Sequence, residues 1–326
     1  MQEPLLSIKD LKIYFYCDDN KVIPAVDGVN LSIQKREVLA LVGESGCGKT
    51  VTSLSIMGLV PPPGRVENGF IIFQGKELSQ LSDEEMNVIR GNEISMIFQE
   101  PMTSLNPVLR IGEQISESLR YHLNMNRKDA RQRTIQLLKE VGLPRAEEMV
   151  DEYPHQLSGG MRQRVMIAMA LACNPKLIIA DEPTTALDVT IQAQIIEVLK
   201  KIKEKMNTSI LLISHDLGVV AELADRVAVM YAGKVVEEAN VEDIYSYTSH
   251  PYTIGLMKSV PNLEDDTERL NFIKGTVPTG DQFLNGCSFA PRCEWQEKFC
   301  WVSVPPLETI RPNHRVRCFL AKKVFS

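Results

Sequence analysis

No stretch of the sequence reaches the about 18 to 20 consecutive apolar residues that a bilayer-crossing helix needs. A secretory core is missing as well, because Lys9 and Asp10 interrupt the apolar residues near the start. Positive charge is not in surplus: 36 Lys and Arg face 42 Asp and Glu, a formal net charge of −6, which excludes nucleic-acid binding driven by overall charge. There is no internal repeat, no low-complexity segment and no sustained heptad pattern. What is present is 326 residues, 44% hydrophobic and 24% charged, a composition expected of a folded cytoplasmic chain with one large α/β unit and a smaller appendage.

Between Leu5 and about Ala239 short β-rich runs alternate with helical patterns, which predicts an α/β domain. Val38 to Val42, Ile94 to Phe98, Leu177 to Ala180, Ile210 to Ile213 and Val227 to Met230 read as strands, several of them apolar enough to be buried on both faces. Ile191, Ile195, Val198, Leu199 and Ile202 fall at helical spacing, with Lys200, Lys201 and Lys203 on the solvated side. Leu6, Ile8, Leu11 and Ile13, then Val29, Leu31 and Ile33, predict antiparallel strands near the N-terminus. From Gly112 to about Asp151 there are two or three helical patterns and no strand. After Ala239 prolines from Pro251 to Pro312 punctuate a segment with few periodic runs, predicted to be loop-rich and to need an extra staple. The expected domains are therefore 1–240, with helices inserted over about 100–160, and 241–326.

Gly43-Glu44-Ser45-Gly46-Cys47-Gly48-Lys49-Thr50 fits G-x-x-x-x-G-K-[ST], between the strand Val38 to Val42 and the helical pattern Val51 to Leu59, which is the context a phosphate loop requires. Its glycines let backbone N–H groups curl around phosphate oxygens, and the helix that follows points its positive end at them. Lys49 would neutralise charge and Thr50 would reach Mg²⁺. The run Leu177 to Ala180 delivers two carboxylates to a strand end, where Asp181 is expected to hold Mg²⁺ through water and Glu182 to orient and polarise an attacking water. Taken alone such a pair is more often a turn or helix cap; beside a phosphate loop the balance reverses. Cys47 needs no role beyond fitting within the loop.

Leu157-Ser158-Gly159-Gly160-Met161, 20 residues before the acidic strand, resembles the signature motif of ABC transporter ATPases. The remaining parts follow in that family's order: Gln99 resembles the Q-loop glutamine, Ala186-Leu187-Asp188 the D-loop and His215 the switch histidine. The resemblance implies an α/β fold, a P-loop NTPase core with an N-terminal antiparallel β-subdomain, an inserted ABC helical subdomain and a small loop-rich C-terminal extension. It also implies catalytic roles for Glu182, His215 and Gln99, with Gln99 joining Thr50 and Asp181 at Mg²⁺. Two ATPase subunits would pair head to tail, each ATP lying between one phosphate loop and the partner's Ser158, Gly159 and Gly160, with Asp188 nearby. Adenine would stack on Phe15, or on Tyr14 or Tyr16.

The segment Gln99-Glu100-Pro101-Met102-Thr103-Ser104-Leu105-Asn106-Pro107 resembles ATPase subunits of dipeptide and oligopeptide importers, a group that includes nickel importers. His250-Pro251-Tyr252-Thr253 and the cysteine-rich tail resemble their C-terminal extension. This implies an energy-coupling subunit at the cytoplasmic face of the cell membrane. About Pro101 to Glu117 would line a groove for a coupling helix from one of two membrane permease subunits, with an extracellular or periplasmic substrate-binding protein and no nucleic acid. Cys287, Cys293, Cys300 and Cys318 follow C-x5-C-x6-C-x17-C and could bind Zn²⁺ or an iron-sulfur cluster. That spacing leaves the metal open, and the resemblance favours a 4Fe-4S cluster, so the extension is expected to be metal-binding. Residues 287–326 carry seven Lys or Arg against three Glu, a balance that would offset bound thiolates. The competing classes are a soluble ABC-type ATPase acting on ribosomes or DNA, disfavoured by the single nucleotide motif set, and a redox or iron sensor, disfavoured by the complete hydrolytic set.

Overall fold

The computed structural model describes residues 3–17, 21–185, 187–259, 273–278 and 285–324. They fall into two compact units, one drawn from Met1–Ile33, Leu39–Ser79 and Ser214–Ser326, the other from Gln34–Val38 and Gln80–Ile213.

The first unit begins with β1 (Leu6–Tyr16), β2 (Val22–Ile33), β3 (Val38–Val42), α1 (Lys49–Ile56), β4 (Gly64–Phe73) and β5 (Lys76–Glu77). β1 is the centre of an antiparallel sheet, paired on one side with β2 and on the other with β4. Its apolar residues run Leu6, Ile8, then Leu11, Ile13, a step of three where a strand needs two. Asp10, at φ 45°, absorbs the extra residue in a bulge, and the register against β2 shifts between Ile8 and Leu11. All four side chains thereby reach the core, none more than 2% exposed.

The second unit holds α2 (Asp83–Ile89), β6 (Ile94–Ile97), α3 (Pro101–Ser104), α4 (Ile111–Leu123), α5 (Arg127–Glu140), α6 (Ala146–Met149), α7 (Gly159–Leu171), β7 (Leu177–Asp181), α8 (Val189–Met206) and β8 (Ser209–Ser214). β7 pairs in parallel with β6 and β8, and every residue of β7 and β8 is buried, as continuous apolar runs require. α4, α5 and α6 occupy the region whose pattern is purely helical, and α7 packs against α4 and α5. On α8, Ile195, Leu199 and Ile202 turn inward while Lys201 pairs with Glu197 one turn away.

The first unit resumes with α9 (Leu217–Leu223), β9 (Arg226–Tyr231), β10 (Lys234–Asn240), α10 (Val241–Ser246), α11 (Pro251–Lys258), β11 (Glu308–Arg311), β12 (His314–Val316) and α12 (Ala321–Val324). β9 lies parallel to β3, β10 returns antiparallel to β9, and the β11–β12 hairpin attaches to β10 through β12. The staple expected for the tail is made of ordinary protein contacts. Glu237 on β10, wholly buried, accepts the N–H groups of Ser249 at 2.7 Å and His250 at 3.0 Å and faces Nε2 of His314 at 2.7 Å. The Cys287 N–H donates to the Cys300 carbonyl at 2.7 Å, and the Tyr231, Tyr252 and Phe289 rings pack together with centroids 4.6 to 5.5 Å apart. Among the described residues no helix is long and apolar enough to cross a membrane.

Candidate nucleotide site

The phosphate loop joins β3 to α1 within the first unit. Gly43 has φ 151° and Gly48 φ 104°, and a Cβ on either would sit 2.2 Å from the Met230 carbonyl oxygen or 2.4 Å from that of Ala25. These two positions are thus closed to other residues by neighbouring backbone, whereas a Cβ on Gly46 would meet nothing within 4 Å. Lys49 is buried and donates from Nζ to the carbonyls of Gly43 at 2.7 Å and Glu44 at 3.0 Å, so its ammonium lies against the main chain of the loop. Ser45, Gly46 and Thr50 are exposed, and Gly48 at the N-cap of α1 offers no side-chain cap, so the helix's first amides are not spent on one. Cys47 is buried and its thiol pKa is raised by burial, which agrees with a packing role.

In the second unit Asp181 ends β7 as a buried residue, and Glu182 follows in the left-handed region at φ 47°. That backbone is uncommon for glutamate and costs energy that a functional position can justify. Oε2 of Glu182 accepts from Nε2 of Gln99 at 2.9 Å and from the Thr185 hydroxyl at 2.8 Å, so two of the residues singled out in the sequence are in direct contact. Ser158 caps α7, its hydroxyl accepting the Met161 N–H at 3.4 Å, and Ser158 and Gly159 are exposed. Gly160 is buried against Ile191, where a Cβ would come within 2.6 Å. Asp188 caps α8 by accepting the Ile191 N–H at 2.9 Å, beside the 84% exposed Val189. Ala186 lies outside the described residues.

His215 follows β8 and is exposed. Of the adenine candidates, Phe15 is half-buried over Gly64, Tyr14 donates to Asp27 at 3.4 Å, and Tyr16 is exposed with Arg65 5.7 Å from its ring centroid. Along the expected groove Met102 and Val108 are exposed, and Gln114 braces residues 106–109, accepting the Asn106 N–H at 2.9 Å and donating to the carbonyls of Asn106 at 3.0 Å and Leu109 at 2.9 Å. Sequence reasoning missed that Glu44 and the tail are joined: Arg292, counted there as spare positive charge, is ion-paired with Glu44. Arg315 and Lys322 are likewise committed, to Glu238 and Glu308.

A phosphate loop opening a helix, an acidic strand end with a glutamine bonded to its glutamate, and a serine-capped glycine pair opening a second helix together define an ATP-binding cassette. Residues 26–185 match the ABC transporter family model, and residues 236–300 match the C-terminal region of oligopeptide/dipeptide transporters. The sequence is 59% identical to the oligopeptide transport ATP-binding protein AppD of Bacillus subtilis over 97% of this chain and 96% of that protein. It is 52% identical to the dipeptide transport ATP-binding protein DppD of the same organism, over 98% and 95% of the two chains. Among solved structures, the dimeric post-hydrolysis state of the ATP-binding cassette MJ0796 bound to ADP and Pi matches with a TM-score of 0.65 at 31% identity, over 72% of this chain and 98% of that one. The chain belongs to the ABC transporter ATP-binding proteins, in their oligopeptide/dipeptide group.

The expectation of a metal-binding tail is overturned. Cys287, Cys293, Cys300 and Cys318 are free thiols, and among the described residues no group of three or more His, Cys, Asp or Glu is arranged to hold a metal ion, whether as a 4Fe-4S cluster or as Zn²⁺. The four cysteines share the lining of one cavity of about 20 Å³, room for roughly one water-sized body. Burial raises the thiol pKa of Cys287 and pushes Cys293 and Cys318 up to about 11. The relatives matched over 97% of the chain are, by name, oligopeptide transport ATP-binding proteins, and iron-sulfur is not among the properties they support.

Proposed function

We propose that the chain is the ATP-hydrolysing, energy-coupling subunit of an importer of oligopeptides or dipeptides. One observation carries this: the chain matches the cassette over 26–185 and the oligopeptide/dipeptide transporter region over 236–300, so its energy-converting part and its extension point to the same machine. We read 1–240 as the ATPase domain and 241–326 as the extension, a reading supported by a cassette match that ends at 185 and an extension match that begins at 236.

On this reading ATP places its phosphates against the amides of the loop, and Lys49 exchanges the carbonyls of Gly43 and Glu44 for phosphate oxygens. Thr50, Asp181 and Gln99 offer the hard oxygen donors that Mg²⁺ takes, and the ion when bound neutralises phosphate charge. Glu182, fixed through Oε2 by Gln99 and Thr185, orients the water that attacks the γ-phosphorus and takes its proton, and ADP leaves. His215 and Asp188 complete the γ-phosphate surroundings, and Phe15 supports the adenine. The exposed start of α7 is suited to the γ-phosphate of ATP held by a second ATPase subunit, identical or paralogous. Hydrolysis would remove that shared contact and shift the pair toward an open state. One of two permease subunits would dock on the segment held by Gln114, placing the chain on the cytoplasmic face of the membrane, with an external binding protein delivering the peptide.

The test is purification from membranes with attached subunits, followed by ATPase assays with the peptide-loaded binding protein. Peptide-stimulated hydrolysis by a complex containing permeases is the expected outcome. Hydrolysis indifferent to peptide, with ribosomes or DNA as the retained partner, would sink the reading.

A further inference from the structure

Glu44 places a carboxylate in a loop built to receive a polyanion, where its charge opposes the ligand. The C-terminal extension counters it. Arg292, in the turn Ala290–Arg292, donates from Nη1 to Glu44 Oε2 at 2.8 Å and from Nη2 to Oε1 at 3.0 Å, a two-pronged pair. Its remaining donors are also spent: Nη1 on the Tyr231 hydroxyl at 3.3 Å, Nη2 on the Ile273 carbonyl at 3.1 Å and Nε on the Lys274 carbonyl at 2.8 Å. With every N–H of the guanidinium used and its side chain only 5% exposed, this is a built site and no chance surface pair. Burial disfavours the Arg292 charge, but Glu44 and Tyr231 outweigh it and the pKa is raised. The same extension holds the loop's main chain, since the Glu44 N–H donates at 2.8 Å to the hydroxyl of Tyr252, a wholly buried residue of α11.

We propose that the C-terminal extension presets the phosphate loop for ATP, with Arg292 a positioning residue that neutralises and holds Glu44 while Tyr252 fixes the Glu44 amide. The proposal rests on the reading that this loop binds ATP. Arg292 touches no reacting atom; it acts by removing a repulsion and by ordering the loop before the ligand arrives. By linkage, ATP in the loop should in turn strengthen the docking of the extension.

Binding of Mg-ATP to the purified full chain, and KM and kcat of the assembled transporter, would be measured for wild type, Arg292→Gln, Glu44→Gln/Arg292→Gln and Tyr252→Phe. Arg292→Gln is expected to weaken ATP binding roughly tenfold and to raise KM with kcat unchanged. Adding Glu44→Gln should restore most of that affinity, a charge-specific rescue that loss of packing alone would not give. If Arg292→Gln does not fold, Tyr252→Phe, which removes one hydroxyl, should still weaken binding by a few-fold. Unchanged affinity in these variants, or a loss that Glu44→Gln leaves in place, would overturn the proposal while wild-type binding keeps the ATP reading intact. A wild-type chain that bound no ATP would overturn both.

Discussion

Glu182 combines three observations that rarely meet on one residue: it follows a buried aspartate at a strand end, its backbone is left-handed, and its carboxylate is held by Gln99 and Thr185. Glu182→Gln keeps an oxygen for those two donors but loses the base, so hydrolysis should fall by roughly 10²- to 10⁴-fold while ATP binding persists. Single-turnover assays check this, and hydrolysis near the normal rate would remove Glu182 from the mechanism. His250 carries a second prediction. It is wholly buried, accepts the Tyr252 N–H at Nδ1 at 3.1 Å, and is held by burial at a pKa of about 4 despite Glu237, with Arg317 also adjoining. An unfolded histidine takes a proton near pH 6.5, so between about 6.5 and 4 the unfolded chain binds a proton that the folded chain refuses. Stability should therefore fall as pH drops through that window, by at most about 3 kcal/mol. His250→Asn, which keeps an acceptor and cannot titrate, should flatten this part of the profile in denaturant titrations at pH 7 and 4.5. Equal pH slopes in both proteins would contradict it. Sequence order revealed Glu182 and Gln99 as members of one set, because their types and spacing are local; the Arg292–Glu44 pair spans 248 positions and left no local trace.

At the scale of elements, the strands legible from the sequence were those whose apolar run is continuous, such as β3 and β7, because burial on both faces leaves no alternation to misread. β1 was legible in spite of its broken period, and its bulge explains the break. The tail was the opposite case: β11 and β12 are only four and three residues long, and they are held through Glu237, whose partners lie 12, 13 and 77 residues away. Four cysteines in such a stretch invite a metal, and no spacing rule could reveal that hydrogen bonds and aromatic packing hold the segment instead. Glu237→Ala would strand two buried N–H groups and should destabilise the attachment of the extension by roughly 3 to 5 kcal/mol. Limited proteolysis checks this, the variant being cut in the extension first. In the phosphate loop, Gly43→Ala would drive a Cβ into the Met230 carbonyl and should abolish ATP binding. Retained nucleotide affinity in that variant would show that the loop can shift without cost.

For the whole molecule the account rests on two chains sharing ATP. The exposed Ser158 and Gly159 at the start of α7 form an anion-receptive helix end, and Ser45 is exposed on the phosphate loop. Cysteines placed at Ser45 of one subunit and at the corresponding signature serine of the other should cross-link between chains when ATP is present; links confined to one chain would refute sharing. Coupling to peptide is the further and central claim, and uptake of labelled peptide by proteoliposomes holding the assembled transporter and its binding protein tests it most directly. With ATP on the side of this subunit, the wild-type complex should accumulate peptide, and the same complex carrying Glu182→Gln should bind ATP and accumulate none. Equal accumulation by the two complexes, or steady ATP hydrolysis by the wild type with no peptide taken up, would contradict the account.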